Sequence, residues 1–189
     1  MRRRLVTAAA LAALTVAASP AEAARPLYVK AGAQGVVSLG GFHPLRNPTL
    51  RAAIRTLGEP TGMRGGDGVA CTVRWSDIGL VIYFANFGGS DACDPGAGLA
   101  QSAIIKQSRA AHRWRTDRGL RLGATLTTLR RLYPAAQYHS GGYYPKSWWL
   151  VVGSSPYGQN CPCPNPVLRA KLNHGRVSSF RLWIGSAGD

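Results

Sequence analysis

Apolar positions along this chain recur in two rhythms. Between Pro44 and Pro60, Leu50, Ile54 and Leu57 fall on one face at helical spacing, while Arg51 and Arg55 point to water. Asn47 is the expected N-cap and Pro48 the first helical residue, where its missing N–H costs nothing; Gly58 and Pro60 stop the helix. A second such stretch, from Gly119 to Pro134, carries a stripe of Leu122, Leu126, Leu129 and Tyr133. After each helix the period drops to two. Cys71, Val73 and Trp75 alternate with Thr72 and Arg74, and a turn from Ser76 to Gly79 leads into an apolar run over 80–86, which predicts a hairpin. A third strand is expected near 102–107. Later strands are expected over 148–152, 167–172 and 177–184, the last two joined at Asn173-His174-Gly175-Arg176.

The two helical stretches match one another. Leu45 corresponds to Leu120, Arg46 to Arg121, Arg55 to Arg130 and Leu57 to Leu132, each 75 residues apart. This predicts an α+β protein made of two repeats, each a short helix packed on an antiparallel sheet of three or four strands. The expected boundaries are a signal peptide over 1–23, an N-terminal extension over 24–40, repeat 1 over 41–116 and repeat 2 over 117–189.

A helix ending Leu57-Gly58-Glu59-Pro60, a hairpin bearing Cys71 and Trp75, and a tandem copy in RGLRLGATLTTLRRLYP resemble the repeat unit of the secreted β-lactamase inhibitor proteins. The same helix-plus-sheet unit occurs in the outer-membrane-barrel assembly lipoproteins of bacteria, and the second stretch resembles a segment common in exported proteins of GC-rich bacteria. The resemblance implies two repeats whose sheets join into a concave surface that docks on a protein. The loop Cys161-Pro162-Cys163 lies outside that pattern, and the lipidated cysteine of the lipoprotein branch is absent. No family binding residue matches a position here, so none is carried over.

The N-terminus changes the picture by placing the protein outside the cytoplasm. Arg2, Arg3 and Arg4 precede an apolar stretch from Leu5 to Ala18, and Ala21-Glu22-Ala23 follows Pro20: the layout of a cleavable signal peptide, with the working chain starting at about Ala24. The apolar core is short for a membrane span, and no other long apolar run exists, so no transmembrane segment is expected in the mature chain. The expected location is secreted or extracytoplasmic, associated with the cell envelope. In that compartment Cys71, Cys93, Cys161 and Cys163 are expected to pair, with three connectivities open and the local pairing favoured.

Charge narrows the partners. The chain carries 23 Lys+Arg against 8 Asp+Glu; losing three arginines and Glu22 with the signal leaves +13. Such an excess attracts polyanions such as anionic lipid head groups or acidic wall polymers, although the cations are scattered and nucleic acid is not the expected partner. Catalytic patterns are missing. There is no G-x-S-x-G, the histidines (His43, His112, His139, His174) show no paired spacing, and Asp91 and Asp94 read as turn formers better than as a calcium loop. No enzyme activity, cofactor or metal is expected.

The functional expectation rests on strand alternation in the second repeat. Leu168, Ala170 and Leu172 should share the helix-covered face with Phe180, Leu182 and Ile184. The opposite face should then carry Trp149, Val151, Arg169, Lys171, Arg181 and Trp183, aromatics interleaved with cations, a composition that suits binding of a protein or an anionic envelope component. Tyr138, Tyr143, Tyr144 and Tyr157 are candidates for its rim.

Overall fold

The computed structural model describes residues 25–65, 67–108, 111–141, 145–153 and 164–185. The signal-peptide reading and the late pair Cys161 and Cys163 lie outside them. In chain order the elements are β1 (Leu27–Gly32), β2 (Gly35–Leu39), α1 (Leu50–Leu57), β3 (Gly62–Gly65), β4 (Ala70–Trp75), β5 (Leu80–Ala85) and β6 (Leu99–Lys106), then β7 (Trp114–Thr116), α2 (Leu126–Leu132), β8 (Gln137–His139), β9 (Ser147–Gly153), β10 (Asn165–Asn173) and β11 (Arg176–Trp183). The described residues are therefore mainly antiparallel sheet, with two short helices among them.

Eight strands form one sheet, in the order β3-β4-β5-β6-β11-β10-β9-β8. Every neighbouring pair in it is antiparallel. Each helix is followed by four strands that run inward from an edge, and the last strands of the two halves, β6 and β11, pair at the centre. Whether the halves share a sheet is not legible in the sequence; here they do.

One face of this sheet is the core. Cys71, Val73 and Trp75 of β4 are buried together with Ile82, Phe84, Ile105, Phe180, Leu182, Leu168 and Ala170. Leu50 and Ala53 of α1 and Leu129 of α2 pack into the same cluster. So do Val29, Val36, Leu39 and Trp114 of a separate small sheet, β2-β1-β7, in which β1 meets β7 in parallel. The stretch expected as an extension is thus a hairpin that helps to cover the core. Its turn presses against the large sheet: a Cβ at Gly153 would collide with the Ala33 carbonyl oxygen, and one at Gly35 with that of Ile184.

The local chemistry explains the boundaries. The expected cap Asn47 is displaced by Thr49, whose hydroxyl accepts from Ala52 N at 3.2 Å. Asn47 instead accepts from the Thr49 hydroxyl at 2.8 Å. The reason is that the Pro48 carbonyl accepts from Ala100 N and Thr49 bridges to Leu99, which holds this stretch extended until residue 50. The second helix begins the same way: Thr125 caps it by accepting from Thr128 N, and Thr125 bridges to Arg176 at the start of β11. Leu122, expected on the helical stripe, therefore precedes the helix. The expected turn at 173–176 is present, with His174 and Gly175 both at positive φ, as a two-residue hairpin loop requires.

Cys71 is bonded to Cys93 with a Cα–Cα distance of 5.1 Å, the local pairing that the sequence favours. Asp91 shapes the approach to this link by accepting from Cys93 N, and Asp94 likewise accepts from Gly96 N, each at 2.8 Å. At the end of α2, Tyr133 donates to Asp117 Oδ1 at 3.3 Å under the Arg118 guanidinium. Burial, the leading cause, pushes the Tyr133 phenol up to about 12.

Two predictions follow from these contacts. Replacing Cys71 and Cys93 together by Ala should cost about 3 kcal/mol in denaturant unfolding, since the link closes a loop of moderate length. Tyr133 holds its proton more tightly folded than unfolded, where tyrosine titrates at about 10. Its contribution is complete below the unfolded value and is lost as pH rises towards the folded one. Unfolding measured from pH ~9 to ~12 should show that loss in the native protein, and Tyr133→Phe should remove it.

Candidate functional site

The second face of the large sheet has no helix over it among the described residues, and its composition can be read across the strands because opposed residues share a face. One row runs Gly62, Arg74, Val81, Ile104, Arg181, Arg169, Trp149, Gln137, from β3 at one edge to β8 at the other. The adjoining row is Arg64, Thr72, Tyr83, Ser102, Trp183. A third, Lys106–Ser179–Lys171, flanks Arg181 on the other side.

Six cations stand on this face: Arg64, Arg74, Lys106, Arg169, Lys171 and Arg181. Among the described residues no acid stands there. Glu59, Asp67, Asp77, Asp91, Asp94 and Asp117 all lie outside the strands.

At the middle of the face is a groove of about 260 Å³ lined by Tyr83, Ser102, Ile104, Arg169 and Arg181. Arg169 and Arg181 are directly opposed across the β10–β11 ladder. The buried Nε of Arg181 has no hydrogen-bond partner among the described residues. Tyr83, 37% exposed, and half-buried Ile104 give the groove an apolar side.

The sequence-predicted residues divide accordingly. Arg169, Lys171, Arg181 and Trp183 stand on the open face, Lys171 exposed and the other three half-buried. Trp183 lies with its ring edge against Gly185. Trp149 is on the same face but only 8% exposed, stacked on His139 with ring centroids 3.5 Å apart and planes 12° from parallel. Val151 departs from expectation. The step from Val151 to Trp149 on β9 meets a single-residue step from Leu168 to Arg169 on β10. This irregularity sets Val151 opposite buried Leu168 and packs it against the core, so strict alternation fails there. Tyr138 also leaves the rim: it pairs with Trp148, whose ring lies under Arg130 of α2, on the helix side. Tyr143, Tyr144 and Tyr157 lie outside the described residues.

Sequence reasoning missed most of the first half's share of the face, which includes Arg64, Arg74, Val81, Tyr83, Ser102, Ile104 and Lys106. Alternation already set Thr72 and Arg74 opposite Cys71 and Val73; what was missing was the β6–β11 pairing that makes them neighbours of Arg181. His43 contacts the Val37 carbonyl at 3.2 Å, His112 lies in a short 3-10 turn, and His174 is in the β10–β11 loop. Among the described residues no three His, Cys, Asp or Glu gather to hold a metal ion, and no helix is long and apolar enough to cross a membrane.

Compared with models of protein families, with curated proteins and with solved structures, the chain has no match.

The geometry assigns Trp149 to packing and Lys171 to the exposed surface. Trp149→Ala should lower stability by about 3 kcal/mol in denaturant unfolding. Lys171→Ala should change it by less than about 0.5 kcal/mol.

Proposed function

We propose that this is an exported, non-enzymatic binding protein that docks a partner of the cell envelope on the open face of its eight-stranded sheet. The observation that carries this reading is the segregation of charge among the described residues: six cations and no acid on one sheet face, around a central groove. A cationic sheet face mixed with Tyr83, Ile104 and Trp183 supplies both long-range attraction and short-range apolar contact. The Cys71–Cys93 link fits an oxidising compartment and supports export.

A duplicated unit accounts for the architecture. Thr49 and Thr125 cap the two helices 76 residues apart, and each bridges to the first residue of the last strand in its half. Ile104 and Arg181 then face each other across the midline, and the row reads outward from them through Val81 and Arg169 to Arg74 and Trp149. This arrangement supports the likeness to the β-lactamase inhibitor repeat, and in it each half contributes four strands to one binding surface.

The test is site-specific photo-crosslinking in the exporting cell. A benzophenone amino acid in place of Tyr83, on the open face, should give an adduct with an envelope partner. The same probe at Arg131, exposed on α2, should not. Adducts from position 131 and none from position 83 would move the binding surface to the helix side and defeat the proposal.

A further inference from the structure

The large sheet ends at β3, and among the described residues no strand pairs with its outer side. An edge strand of this kind presents backbone N–H and C=O groups to whatever comes beside it, and folded proteins blunt such edges with proline, a bulge or a covering loop. None of these acts here among the described residues. The register of β3 on β4 runs without a shift from Gly62 to Gly65, no proline interrupts it, and all four residues are exposed. Met63 shares the core side with buried Val73, yet it is 50% exposed, so the apolar layer stops uncovered at the edge.

The side chains along the edge select what it takes. On the open-face side Arg64 is exposed in β3 itself, and exposed Arg74 stands directly behind Gly62 on β4. Gly62 has no side chain to screen it, and a Cβ there would meet nothing within 4 Å. A groove of about 120 Å³ lies here, lined by Gly62, Met63, Arg64, Thr72 and Arg74. Neither Glu59 nor Asp67, the acids nearest in sequence, lines it, and Asp67 Oδ1 is engaged by Val69 N and Ala70 N. Two residues of an added strand, opposite Arg64 and opposite Gly62, would face the two cations, and the residue between them would lie over Met63. We infer that the β3 edge accepts an added strand from a partner protein, an extended segment in which two acidic residues flank one apolar residue. A phosphate polymer would use the arginines alone and leave the backbone groups and Met63 unmatched. A second copy of this chain brings no acid: paired about a two-fold axis with like faces aligned, its β3 sets Arg64 against Arg64 or against Gly62. The inference goes beyond the docking face, because an added strand needs the edge of the sheet and leaves the middle of the face open.

The probe is a capped seven-residue peptide with Glu-Val-Glu at its centre and threonines on either side, titrated against the mature protein by NMR. The comparisons are its Gln-Val-Gln version, two versions methylated on alternate backbone nitrogens, and tripolyphosphate. The glutamate peptide should shift the backbone amide signals of Met63, Arg64 and Gly65 and slow hydrogen exchange at those that face outward. The glutamine version should bind about 5-fold or more weakly. Methylation of one alternate set of nitrogens should abolish binding and methylation of the other should not, since only one set faces the edge. Arg64→Gln should weaken binding about 3-fold, whereas Arg55→Met, which removes an exposed cation from α1, should change it less than about 2-fold. The methylated peptides test the inference with the protein unaltered, whatever the fate of the variants.

Equal binding of the two methylated versions overturns the inference, because no strand is then added. So does equal binding of the glutamate and glutamine peptides, or an equal loss in Arg55→Met and Arg64→Gln, which would reduce the effect to net charge. Amide shifts centred on Tyr83 and Arg181 in place of β3 move the peptide to the face. Tighter binding of tripolyphosphate than of the peptide reassigns the two arginines to polyanions. A dimer of the free protein in sedimentation, with the β3 amides already protected, gives the edge to a second copy. If the peptide fails while crosslinks from position 83 persist, the edge assignment falls and the docking face stands; peptide binding at β3 without those crosslinks leaves the edge and removes the face.

Discussion

The open face exists because β6 and β11 pair. Each is the final strand of its half, and without their ladder the chain would hold two four-stranded sheets with four free edges and no shared surface. The pairing sets Ile105 against Phe180 and Ala103 against Leu182 on the core side, all buried, so it is fastened by apolar packing as well as by backbone hydrogen bonds. Bonds from Gln107 N to the Ser178 carbonyl and from Ile184 N to that of Gln101 extend it at both ends. On the reverse side the same ladder brings Ile104 beside Arg181, two residues of no evident kinship in the sequence.

The distribution of acids has a second consequence. Asp67, Asp91 and Asp94 accept backbone N–H groups two or three residues on, the usual work of an aspartate that shapes a turn. Carboxylates committed to turns are held off the strands, and the charged side chains on the sheet's described strands are cations. Loop formation and the sign of the open face are thus linked through the placement of a few aspartates.

What the sequence made legible follows the range of the forces involved. Both helices, the hairpin 70–85 and the hairpin 165–183 are set by local period and turn chemistry and are present, although the helices start later than expected, at Leu50 and Leu126. Strands β3 and β8 are too short to show alternation, and Gly62 and Gly65 leave β3 with only two side chains. The cap moved from Asn47 to Thr49 because a strand distant in sequence claimed the Pro48 carbonyl. At the candidate site, Arg169, Lys171, Arg181 and Trp183 were found by counting in twos, while Val151 was lost at a bulge that counting cannot register. Trp149 was placed on the correct face, but its burial depends on His139, which lies on a strand that the pattern does not reveal.

The N-terminal hairpin carries an implication for time rather than for shape. Its first strand lies parallel to β7, 87 residues further along the chain (Leu27 opposite Trp114), and its turn rests on Gly153 and on Ile184. Strand β1 is available from the outset yet has no partner but β2 until those later segments are in place. Contacts of such long sequence separation slow folding, because loop closure must precede their reward. The hairpin therefore closes over the core only through segments that lie far from it in sequence.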